Sequence, residues 1–187
     1  MRWLCVIFLV ALSGCTSWRE VPDDLTFKGL HEGSELYGKS PRWEFVDVEL
    51  STNINYQNYV NDNWSHVGVE AYFCDRADYE VQMLGGFDLY RKGEKWISLS
   101  AEKRDNSNPP YYYHTGLNTH NHDKEAMAPQ HPTILNYDLR EKPLDICLYL
   151  DAGTMLSHQK SNIVRIPKEE LIKFFAEHPR PKAGASP

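Results

Sequence analysis

Alternation with a period of two sets what this chain can become. Val46, Val48 and Leu50 are interleaved with Asp47, Glu49 and Ser51; Val67, Val69, Ala71 and Phe73 with His66, Gly68, Glu70 and Tyr72. Successive side chains of an extended strand point to opposite faces, so each segment has one apolar and one polar side and needs a sheet half-turned toward a core. Phe87 to Tyr90 and Lys95 to Ala101 read as two more strands around Arg91-Lys92-Gly93-Glu94, a hairpin with Gly93 in the turn. Ile134 to Leu139, Asp145 to Leu150 and Asn162 to Ile166 complete the set. Short strands joined by polar turns predict a mainly β chain, an antiparallel β-sandwich. One C-terminal helix closes it. Pro167 suits the first turn and Glu169 and Glu170 the positive end; Leu171, Phe174 and Phe175 share a face that Ile172 widens. His178-Pro179 ends the helix, and residues 179–187 read as a flexible tail.

The amino terminus constrains location instead of fold. Arg2 precedes about a dozen mostly apolar residues and then a small-residue region, the layout of a secretory signal peptide. The apolar run is shorter than the roughly 20 residues that span a bilayer. Its end, Leu12-Ser13-Gly14-Cys15, resembles the lipobox of bacterial lipoproteins. That resemblance implies removal of residues 1–14 and acylation of Cys15. At about 0.8 kcal/mol per buried methylene, several acyl chains on one residue make a stable anchor. Thr16 stands where the family uses Asp for inner-membrane retention, so the resemblance implies an outer-membrane lipoprotein on the periplasmic face.

Residues 15–42, with Pro22, Gly29, Gly33, Gly38 and Pro41 spread through a polar stretch, read as the lipidated tether, and residues 43–178 as the sandwich domain. With Cys5 lost in the leader and Cys15 lipidated, Cys74 and Cys147 remain alone in an oxidising compartment, where a pair normally bridges. A loop of about 70 residues closed this way stabilises by roughly 4 kcal/mol in the chain-entropy account. Strand parity places Cys74 with Tyr72 and Glu70, and Cys147 with Asp145 and Tyr149, so both sulfurs fall on polar faces. The expected bridge is therefore on or near the sandwich surface, joining neighbouring strands or a strand end and a loop, and does not pin the two sheets through the core.

Reactive side chains concentrate between Arg104 and Pro132, read here as one long loop. His114, His120, His122 and His131 lie in it. His120-Asn121-His122 projects two imidazoles the same way if extended, and His114, Asp123 or His131 could complete a zinc or copper site. No His-Glu-x-x-His frame supports that reading. Tyr111, Tyr112 and Tyr113 either offer an aromatic anchor for a protein partner or pack alternately onto the sheet. No Gly-x-Ser-x-Gly elbow and no phosphate-cradling glycine loop occurs. A net charge of −6 argues against nucleic acid. The expectation is a lipid-anchored binding or assembly module, of the accessory or immunity type found among small envelope lipoproteins, with no catalytic residue and no cofactor assigned. It would be held to the membrane through Cys15 and would engage a periplasmic or envelope protein. The alternative is a periplasmic metal-binding protein or metalloenzyme built on residues 114–131.

Overall fold

The computed structural model describes residues 24–33, 44–63, 66–75, 86–91, 104–121, 137–153 and 158–180. Eleven strands and two helices occupy them. In chain order these are β1 (Thr26–Glu32), β2 (Phe45–Thr52), α1 (Tyr56–Asn63), β3 (His66–Phe73), β4 (Gly86–Asp88) and β5 (Tyr90–Arg91). There follow β6 (Tyr111–Asn118), β7 (His120–Asn121), β8 (Tyr137–Asp138), β9 (Ile146–Gly153), β10 (His158–Lys160), β11 (Val164–Ile166) and α2 (Lys168–Glu177). One sheet runs β1-β2-β6-β5. The other runs β10-β9-β3-β4, with β11 also on β9, and β7 pairs β8 separately. The pairings are antiparallel throughout, as the alternation predicts.

The two inner faces meet in one core. Val46, Val48 and Leu50 of β2 and Tyr113 and Leu117 of β6 face Val69, Ala71 and Phe73 of β3 and Ile146, Leu148 and Leu150 of β9, all buried. Both margins of the sandwich are stitched. At one, β4 and β5 form a continuous strand that changes sheets at Leu89, which is buried at the corner. At the other, the Asn162 carboxamide donates to the Leu25 carbonyl and accepts from the Leu25 N–H, each at 2.9 Å, joining the β1 margin to the β10–β11 margin. Between β10 and β11 the Ser161 hydroxyl accepts the Leu150 N–H at 2.9 Å, so a side chain keeps that donor satisfied where the strand breaks.

Three sequence expectations need correction. The stretch 15–42 is not all tether, because β1 lies inside it and pairs β2 from Thr26↔Ser51 to Glu32↔Val46. A register shift between Phe27 and Gly29 leaves Lys28 as an extra residue, which turns both Phe27 and Leu30 toward the core. The bulge changes the apolar spacing from two to three and hides the strand from a period-two reading. The loop 104–132 contains β6, a central strand between β2 and β5. Finally, Arg180, assigned to the tail, is held to the body: it donates to Glu44 and Asp138 at 2.9 Å each.

α1 was also unforeseen. The Asn55 side chain caps it by accepting the Asn58 N–H at 3.0 Å, and Tyr56 and Val60, one turn apart, enter the core. In α2, Leu171, Phe174 and Phe175 are buried as expected. Ile172 is half exposed and does not widen the stripe, and Pro167 sits at the N-cap, one place before the first turn. The Asp145 carboxylate, reaching over from the start of β9, accepts the Lys168 N–H at 2.7 Å and caps the helix in place of a local residue. The strand at 95–101, its hairpin turn at 92–94 and the residues 134–136 lie outside the described residues.

Cys74 and Cys147 form a disulfide with Cα atoms 5.0 Å apart. Cys147 pairs with Tyr72, and Cys74 lies two residues further along, its N–H donating to the Asp145 carbonyl at 3.0 Å. The bridge therefore joins adjacent strands diagonally on the outer face, opposite the side of Phe73 and Ile146, where parity placed it.

Candidate functional site

The outer face of the β1-β2-β6-β5 sheet carries a band of titratable side chains. Register alone assembles it: His31 pairs with Asp47, Glu49 with His114, and His114 with Tyr90, so four strands each contribute. Diagonal contacts then lock pairs across strands. His114 Nδ1 lies 2.8 Å from Asp47 Oδ2, both groups buried, and His31 Nε2 lies 2.6 Å from Glu49 Oε2 near the surface. The two imidazole centroids are 6.0 Å apart. At the far side the Tyr90 hydroxyl donates to Asp88 at 3.3 Å, and burial, reinforced by the Asp88 charge, pushes the phenol up from its ordinary range.

Within the buried pair the chemistry is specific. A carboxylate oxygen facing a ring nitrogen accepts, so His114 Nδ1 donates to Asp47 Oδ2. His114 Nε2 and Asp47 Oδ1 are buried and, among the described residues, without a hydrogen-bond partner. No hydroxyl or thiol among the described residues hydrogen-bonds Nε2, the contact that a nucleophilic triad requires. Among the described residues, no group of three or more His, Cys, Asp or Glu is placed to hold a metal ion.

Of the histidines and tyrosines singled out from sequence, the described ones lie on named strands. His114 belongs to β6 and is spoken for on one ring nitrogen by Asp47; it is not part of a histidine loop. His120 lies in β7 and pairs with Asp138 of β8. His122, Asp123 and His131 lie outside the described residues, as does Cys15. Tyr111 and Tyr113 point inward and are buried, whereas Tyr112 between them is 43% exposed. The tyrosines thus alternate on a strand, and the three do not form a common anchor. The Tyr113 hydroxyl accepts the Tyr56 N–H at 2.8 Å and donates to the Ile54 carbonyl at 3.3 Å, and burial pushes it up to about 12.

Asp47, Glu49 and His31 were not picked out from sequence. The alternation of β2 does assign Asp47 and Glu49 to its polar side, but nothing local shows that β1 and β6 flank β2 and bring histidines to them. Searches of protein families, of curated proteins and of solved structures return no match to the chain.

Proposed function

We propose that this chain is a lipid-anchored binding or assembly module of the bacterial envelope, held on the periplasmic face of the outer membrane through Cys15 and engaging an envelope protein without catalysing a reaction. The observation that carries this reading is Leu12-Ser13-Gly14-Cys15 at the end of a short apolar leader. One further fact supports it. The Cys74–Cys147 disulfide fits an oxidising compartment, and it staples strands that already pair, as expected of a domain that must endure outside the cytoplasm.

Palmitate labelling in cells together with mass spectrometry of the mature amino terminus tests it. Acyl mass on Cys15 and membrane association, both lost in Cys15→Ala, are expected. An unmodified amino terminus, or a wild-type protein released by washing with salt, would overturn the anchor.

A further inference from the structure

The point where the polypeptide enters the fold is fixed. Asp24 accepts the Thr52 hydroxyl at 2.5 Å and the Asn53 N–H at 2.6 Å, and Leu25 is clamped by Asn162. These contacts gather one end of the sandwich: the start of β1, the end of β2, α1, the residues 104–110 and the start of β6. The opposite end carries α2, the disulfide and the ion-pair cluster of Glu44, Arg140, Asp138 and Arg180.

Nine Cα–Cα steps, with eight residues between, lead from Cys15 to Asp24. Fully extended they span about 30 Å at most, little more than the roughly 26 Å length of an eight-residue strand such as β2. A lipid on Cys15 therefore favours the Asp24 end turned to the bilayer, because only a tether at almost full extension could leave the other end down.

Exposed apolar side chains follow the same polarity. Among the described residues three large ones are exposed: Tyr112 at 43%, Ile163 at 55% and Ile172 at 50%. Two sit at the Asp24 end. Tyr112 pairs with Ser51, which pairs with Thr26, and Ile163 follows the Asn162 that grips Leu25. Pro109 and Pro110, also exposed, precede Tyr111 at the same end. Tyrosine is favoured at a membrane interface, where its ring meets the acyl boundary and its hydroxyl stays wet, and an isoleucine gains by leaving water there.

We propose that the Asp24 end of the sandwich seats on the bilayer surface, with Tyr112, Ile163 and the Pro109–Pro110 segment at the lipid boundary, and that α2 faces away from the membrane. The seat rests on the lipid-anchor reading and adds an orientation to it. The acyl chains hold the domain, and the apolar rim sets which way it stands. The end bearing α2 is then the one open to a periplasmic partner.

The test uses the full lipidated protein in phosphatidylethanolamine–phosphatidylglycerol vesicles. Single variants Tyr112→Cys, Ile163→Cys and Ile172→Cys, with the native disulfide kept, carry an environment-sensitive fluorophore. Flotation of each sample with the vesicles is measured first, then quenching by lipids spin-labelled near the headgroup. At least threefold stronger quenching at positions 112 and 163 than at 172 is expected. Floating protein with equal quenching at all three, or with position 172 most quenched, overturns the seat and leaves the anchor standing. Wild-type protein that does not float overturns the anchor and the seat with it.

Discussion

At the scale of single residues, the side chains that matter most carry polar atoms into apolar surroundings. The Tyr113 ring lies edge-on to Tyr56, centroids 5.7 Å apart, while its hydroxyl links the Ile54 carbonyl to the first N–H of α1. Tyr113→Phe keeps the ring but removes both hydrogen bonds of the hydroxyl, leaving the Tyr56 N–H and the Ile54 carbonyl their 3.1 Å bond to each other, so at about 0.5–1.5 kcal/mol per bond it should cost about 1–3 kcal/mol, read as a lower urea midpoint at unchanged m-value. Tyr111→Phe is the matched control: its hydroxyl meets the Ser107 carbonyl at the rim, and the loss should stay below about 1 kcal/mol. The tyrosine run was legible in the sequence as a candidate; whether each ring was anchor or core was not. That depended on strand direction, because Tyr111 and Tyr113 share one face of β6 and Tyr112 takes the other. His114 tells the same story. It reads as one of four clustered histidines, yet its chemistry is set by Asp47, distant in sequence and one strand away.

At the scale of elements, β1 shows how a strand can be present and unreadable. Its apolar residues are too few to make a stripe and the bulge at Lys28 breaks their phase, so it forms because β2 offers a ladder and Asn162 clamps Leu25, the residue just before it. Asn162→Ala removes two backbone-directed hydrogen bonds, each worth about 0.5–1.5 kcal/mol net. The expected result is faster hydrogen exchange of the Thr26–Glu32 amides, with the paired amides of β3 and β9 unchanged; equal acceleration in both sheets would mean the stitch supports the whole molecule and not the margin alone. α1 was missed for a related reason. Asparagine and tyrosine form helices poorly, and its one clear local signal, the Asn55 cap, resembles any polar turn until Tyr56 and Val60 are seen to enter the core. α2, by contrast, announces itself through Leu171, Phe174 and Phe175.

At the scale of the whole molecule, charged groups tie the chain ends to the body. Burial alone would raise the Glu44 carboxyl, but the Arg140 and Arg180 guanidiniums hold it below its ordinary range. Asp138 is held low against its own burial by the Arg140 backbone N–H and by Arg180, and Asp145 is held low by Arg165 and the Lys168 N–H. A carboxyl with a lowered folded pKa contributes stability above its unfolded value, near 4, and that stability is lost as pH falls through the folded value. Tm should therefore be nearly level from pH 7 to about 5 and fall below about pH 4. Glu44→Gln should start lower at pH 7 and fall less steeply, which calorimetry across that range measures. Arg140 also lies over the Phe175 ring at 4.3 Å, so the same cluster holds α2 in place.

The sequence by itself determined the local quantities: which faces of β2, β3 and β9 are apolar, which side of its strand each cysteine occupies, and the helical stripe of α2. Each depends on residues within a few positions of one another, where covalent geometry fixes the period. Only the tertiary structure decided the rest. The strand order, the bulged β1, the sheet change at Leu89 and the Asp47–His114 pair depend on contacts between segments far apart in the chain, where burial and hydrogen bonding override weak or interrupted local patterns.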